Sequence, residues 1–129
     1  MKHWPIVVVM MLAGSCAHMP SDTELKKASA LRDSSRALIG EGNYREALRD
    51  LQVSAQLNPY VQEVHYLLGT VYFIGFRRHQ ESRKYLTEAI RLAVDRKDTY
   101  PEANNLLWSV LVVSGEIEAG IIELEKARA

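Results

Sequence analysis

The chain has a single cysteine in 129 residues, no excess of either charge, and no apolar run long enough to cross a bilayer. Each shortage excludes something. Cys16 has no internal partner, so no disulfide framework holds this fold, and in oxidising surroundings the thiol needs another fate. With 16 basic and 16 acidic side chains, the sequence lacks the cationic surplus that neutralises a phosphate backbone, which argues against nucleic acid as a partner. The apolar stretch from Ile6 to Ala13 is far shorter than the roughly 20 residues of a membrane-spanning helix. Chemistry-bearing motifs are missing too: there is no nucleophile elbow, glycine-rich phosphate loop or cysteine-histidine metal spacing. The histidines, His3, His18, His65 and His79, are scattered, and His65 reads as a groove-edge or inter-repeat side chain. The carboxylates Glu116 and Glu118, like Glu123 and Glu125, stand at i, i+2 and share no helix face, so they read as solvent charges. The sequence therefore predicts no enzyme, cofactor or metal site.

What is present begins at the N-terminus. Lys2 and His3, the apolar run and the small residues before Cys16 have the layout of a cleaved export signal at 1–15. The segment Leu12-Ala13-Gly14-Ser15-Cys16 resembles the lipobox of bacterial lipoproteins, with Ala13 where that family usually has Leu or Val and the leucine one place early. The resemblance implies that diacylglycerol is attached to Cys16 and that cleavage then makes this cysteine the first residue. The alternatives are an ordinary signal peptidase cut and a buried free thiol. Ala17, where an aspartate would retain the protein at the inner membrane, implies a lipid-anchored location at the periplasmic face of the outer membrane. Residues 16–21 form a short tether, and Ser21 with Glu24 has capping-box spacing, so a helix is expected from Asp22.

From there to residue 129 the chain aligns with itself at a period near 34. Gly42-Asn43-Tyr44-Arg45-Glu46-Ala47-Leu48 and Gly115-Glu116-Ile117-Glu118-Ala119-Gly120-Ile121 each carry a glycine stop, a bulky apolar residue, and a small residue three places on. Val64, Leu67, Leu68, Val71 and Tyr72 fall at i, i+3, i+4, i+7 and i+8, a continuous stripe on an α-helix. Gly40 and Gly42 are expected to stop the first helix, Asn43 with Glu46 to cap the second and Pro59 to end it. Thr99 and Glu102, flanking Pro101, are expected to start the fifth. Six helices result.

The repeats resemble the tetratricopeptide consensus at about 28–61, 62–96 and 101–129. Leu31, Leu38, Gly42, Tyr44, Ala47, Leu51 and Pro59 match in the first, and Leu68-Gly69 with Tyr72 in the second, which has one extra residue around Gly75 to Arg77. In the third, Trp108 replaces the small residue of the helix crossing, so it must displace the neighbouring helix or face a gap. The resemblance implies an all-α domain at 22–129: three helix-turn-helix repeats stacked as a short right-handed solenoid. Ile117, Ile121 and Leu124 on the last helix are expected to leave a seam open to self-association or to another protein.

In such arrays the first helix of each pair lines a concave groove. The resemblance places Arg32, Arg36 and Ile39 there from the first repeat. The second contributes Glu63, Tyr66, Thr70, Phe73 and Ile74, and the third Glu102, Asn105, Ser109, Val112 and Val113. A groove apolar at its centre suits an amphipathic or extended peptide, and two arginines do not make the lysine-asparagine clamp of chaperone-tail readers. The cluster of Arg77, Arg78, His79, Arg83 and Lys84 suits a solvated turn or an anionic membrane surface. The lipobox, the run Leu57-Asn58-Pro59-Tyr60 leading to Leu67-Leu68-Gly69, and Tyr100-Pro101-Glu102-Ala103-Asn104-Asn105-Leu106 together look like the type IV pilus biogenesis and stability lipoproteins. These are pilotins that assist an outer-membrane secretin, and members of the group generally carry more than three repeats. A secretin subunit or pilus-assembly component is the partner this resemblance implies. The alternatives are a general periplasmic adaptor for envelope enzymes and a subunit of another secretion or export complex.

Overall fold

The computed structural model describes residues 18–129; residues 1–17, and with them the export segment and Cys16, lie outside the described residues. Six helices occur among the described residues: α1 (Asp22–Gly40), α2 (Tyr44–Leu57), α3 (Gln62–Thr70), α4 (His79–Asp95), α5 (Pro101–Val113) and α6 (Ile117–Arg128). A single π-helical turn, Val71–Gly75, prolongs α3. Each helix packs on its neighbours in sequence, with the closest pairings α1 on α2 and α3 on α4.

The first helix starts as its sequence requires. Ser21 accepts a hydrogen bond from the Glu24 amide, and the Glu24 carboxylate accepts one from the Ser21 amide at 2.7 Å. The Ser21 amide and hydroxyl, with His18 beside them, hold the Glu24 carboxyl at about 2, well below its ordinary 4.5. A depressed carboxyl stabilises the fold above its unfolded value, and that contribution disappears as pH falls through the folded one. A carbon-detected NMR titration is therefore expected to find the Glu24 carboxyl still ionised at pH 3. A midpoint near the ordinary carboxylate value would show that the box does not form in solution.

Other caps depart from expectation. Asn43 precedes α2 but its side chain makes no capping bond, and Tyr100 rather than Thr99 precedes α5, with Pro101 in the first turn. Gly40 remains helical; Gly42 alone takes the left-handed conformation, at φ +77°, as Gly115 does at +79°. In both places two amides reach back to the last turn in a Schellman pattern: Asn43 to Leu38 and Gly42 to Ile39, then Glu116 to Leu111 and Gly115 to Val112. The same pattern closes α4 through Asp98 to Ala93 and Lys97 to Val94, with Lys97 at φ +58° in the place that glycine fills elsewhere.

Packing follows the apolar stripes. Ala47 and Leu51 of α2 are buried with Val64, Leu67, Leu68 and Val71, while Leu86 and Ala89 of α4 are buried with Ala103, Leu107, Val110 and Leu111 of α5. Each core cluster is thus shared between one helix pair and the next, so no pair covers its own stripe alone. Small residues set the crossings within pairs. In the first, Ser35 and Ala47 are both fully buried, while in the second a Cβ on Gly69 would lie 2.6 Å from the Leu86 side chain. Ser54 donates to the Ala28 carbonyl at 2.8 Å and Ser82 to the Gly69 carbonyl at 2.7 Å, satisfying polar groups inside the crossings. From Ser35 to Ala47 is one residue fewer than from Gly69 to Ser82, and the π turn between the latter two takes up the difference.

Candidate functional site

The face shared by α1, α3 and α5 has two chemically different ends. At the polar end, Arg36 pairs with Glu63 of α3, and the Arg32 guanidinium lies 3.6 Å from the same carboxylate. Arg36 also meets Asp33 at 3.3 Å, and the hydrogen bond to Glu63 raises its pKa further above the ordinary arginine value. Tyr66 is half-buried with its ring 5.3 Å from that of Tyr100. Burial first, and then the Glu63 carboxylate, push the Tyr100 phenol above its usual range, so it remains a neutral donor. The two arginines expected to meet a partner are therefore already occupied by this chain. Arg36 is exposed while Arg32 and Glu63 are half-buried, and pairs so near the surface contribute about 0–1 kcal/mol each, so an incoming carboxylate would displace Glu63 for little net gain.

The apolar end lies where the π turn and the end of α5 approach each other. Phe73, Ile74 and Val113 line one cavity of about 290 Å³ together with Arg77 and His79. Ile74 is 53% exposed, Val112 42% and Val113 61%. Phe73 packs partly on the second core cluster and holds the His79 ring at 5.7 Å. Covering Ile74, Val112 and Val113 would stabilise a complex by about 1 kcal/mol each, since full burial of such a side chain is worth roughly 1.5–3 kcal/mol. The exposed apolar surface of this face is therefore gathered at this end.

The other predicted residues are distributed around these ends. Ile39 packs against the first core cluster rather than standing free. The Thr70 hydroxyl donates to the Tyr66 carbonyl at 2.9 Å and the Ser109 hydroxyl to the Asn105 carbonyl at 3.1 Å, so both are turned into their own helices. Asn105 and Glu102 are exposed. Tyr100, Arg77 and His79 join the face without having been assigned to it. An aromatic residue ahead of Pro101 was the available signal for Tyr100, whereas the other two were grouped with the basic cluster.

That cluster is broken up by local pairing. Arg78 meets Glu81 at 3.1 Å, Arg83 pairs with Glu116, and the Lys84 ammonium lies 5.9 Å above the Tyr85 ring. Glu116 also accepts from Gln80 at 3.2 Å, so it is an inter-pair contact and not a solvent charge; among the described residues Glu123 meets only Lys126, one turn along its own helix at 3.6 Å. His65 is buried between helices. Its Nε2 donates to the Pro59 carbonyl at 2.7 Å, its ring lies 6.1 Å from that of Tyr85, and its Nδ1 has no partner among the described residues. Ile121 and Leu124, the expected open seam, are 46% and 37% exposed, while the side chain of Ile117 lies outside the description.

Among the described residues, no three His, Cys, Asp or Glu side chains gather in a metal-holding group, and no helix is long and apolar enough to cross a membrane. No protein-family model matches this chain, and no curated protein does either.

Proposed function

We propose that this chain is a lipid-anchored, non-catalytic scaffold of the periplasm, whose six helices form three tetratricopeptide-type repeats stacked as a short right-handed solenoid. It captures a peptide segment of a protein partner on the face shared by α1, α3 and α5. The observation that carries the proposal is the apolar end of that face, where Ile74, Val112 and Val113 stand exposed beside Phe73 while the arginines at the other end are held by Glu63. Repeat stacking is supported by the two core clusters, each shared between consecutive helix pairs, and by the small residues at the first two crossings.

The partner we propose is an outer-membrane secretin subunit or another component of a type IV pilus, on the strength of the sequence resemblance described above. A lipid on Cys16 would hold the scaffold at the outer membrane, and a subunit bound there would meet its fellows at a raised effective concentration. The test is site-specific photocrosslinking in cells that carry the pilus system. A crosslinker replacing Ile74 is expected to give an adduct with the secretin subunit, and one replacing exposed Glu46 on α2 is not. Ile74→Asp should weaken binding of the purified subunit by about tenfold, the equivalent of about 1.4 kcal/mol. Equal adducts from both positions, or undiminished binding by Ile74→Asp, would remove the support for this face.

A further inference from the structure

The third helix pair is built differently from the second, and the difference leaves a space. In the second pair, α4 closes onto α3 at Gly69, and the Leu86 side chain fills the crossing and is fully buried. In the third pair Trp108 occupies the Gly69 register, and Leu124, at the register of Leu86, is left 37% exposed. An indole stands here where the second pair has only a hydrogen. The outcome is the gap expected of Trp108: a cavity of about 170 Å³ between α4, α5 and α6, lined mainly by Ile90, Leu107, Trp108, Leu111 and Leu124.

The same registers one repeat earlier show what fits such a space. The groove between α2 and α4 is lined by Gln52, Ala55, Leu68 and Tyr85. The matching positions of the later cavity are Thr87, Ile90, Leu107 and Glu123, all of which line it. In the earlier repeat Tyr85, which lines the groove, lies parallel to Tyr72 at 5.5 Å and 6.1 Å from the His65 ring. In the later repeat Glu123, Leu111 and Asn104 stand at the registers of Tyr85, Tyr72 and His65, and all three rings are gone.

From this correspondence we propose that the cavity between α4, α5 and α6 is a second binding site, which accepts one uncharged aromatic side chain from a bound peptide. The volume is sufficient, because a space of about 150 Å³ admits benzene. The charge agrees as well. Glu123 and Lys126 at the mouth are 3.6 Å apart and offset one another, so the rim favours a neutral ring over a charged one. The site shares no lining residue with the apolar cavity of the α1, α3 and α5 face, and does not depend on that face being a groove.

Trp108 reports on its own pocket. In the full chain bearing Trp4→Phe it is the only indole, so its Nε1–H gives a single resonance in a nitrogen-proton NMR spectrum. Titration with N-acetyl-phenylalaninamide is expected to shift that resonance to a plateau, with N-acetyl-leucinamide binding at least about threefold more weakly, because the smaller aliphatic group makes fewer contacts with the lining. Glu123→Tyr restores a ring from within. It is expected to abolish the titration and raise the melting temperature by a few degrees. Should that variant fold poorly, Thr87→Phe blocks the mouth from exposed positions on α4 and is expected to weaken the compound at least about tenfold. A shift that never saturates, equal binding of the leucine compound, or a titration unchanged in both variants would each overturn the proposal.

Discussion

Truncating Leu86 to alanine is expected to cost about 3 kcal/mol, and the same truncation at Leu124 less than about 1 kcal/mol. The two residues occupy one register of the repeat, so the sequence treats them alike; the packing does not. Leu86 is fully buried, as is Leu51 at the same register of the first pair, whereas Leu124 remains 37% exposed. Removing a sequestered isobutyl group forfeits its transfer free energy and leaves a void that rigid neighbours fill only in part. Removing one that already borders an open cavity forfeits less and creates no new void. For a domain of this size each kcal/mol moves the melting temperature by about 4–8 °C, so Leu51→Ala and Leu86→Ala should each melt at least 10 °C early, or not fold at all. Circular dichroism melts of the three variants decide the matter. Equal losses at Leu86 and Leu124 would mean that α6 closes fully in solution and that the Trp108 cavity does not persist.

The second large effect concerns attachment. With residues 1–15 exchanged for an export signal that is cleaved without lipidation, Cys16→Ser is expected to move the protein from the membrane fraction to the soluble periplasmic fraction and to abolish incorporation of labelled fatty acid. Acyl chains contribute about 0.8 kcal/mol per buried methylene, and two or more chains make an anchor stable. Among the described residues no helix is long and apolar enough to cross a membrane, so in this proposal the lipid alone supplies the anchorage. A Cys16→Ser protein that stays in the membrane pellet after a high-salt wash would refute lipidation as the anchor. Retention that salt abolishes would point instead to the cations around Arg77.

Where one helix carries its own information, the sequence was legible. The stripe from Val64 to Val71 is buried, the Ser21 and Glu24 box closes on itself, and Gly42 and Gly115 take the left-handed turn because only a residue without a Cβ does so at no cost. The failures share a cause: each needed a partner distant in the chain or a choice between two local solutions. Arg32 and Arg36 look available until Glu63, 27 residues beyond Arg36, arrives from the next pair. Asn43 has the composition of a cap, yet the Schellman turn before it already sets the entry to α2. Lys97 shows that the left-handed turn can be forced on a side chain when the surrounding helices require the chain to reverse there. For the candidate face, residue types and helix assignment could be read in advance, but the approach of Phe73 to Val113 could not.

The widened turn at the end of α3 has a consequence for evolution by insertion. Each residue of an α-helix advances the side-chain direction by about 100°, so one added residue puts everything after it out of phase with everything before. Absorbed in the Val71–Gly75 turn, that surplus leaves Leu68 and Val71 seated in the interior while the residues that follow are aimed independently of them. Ile74 can therefore face outward on a helix whose earlier turns are committed to packing. Loss of one residue from the turn would restore a regular pitch, keep the interior intact and swing the exposed apolar edge away from α5, disarming the surface without unfolding the protein.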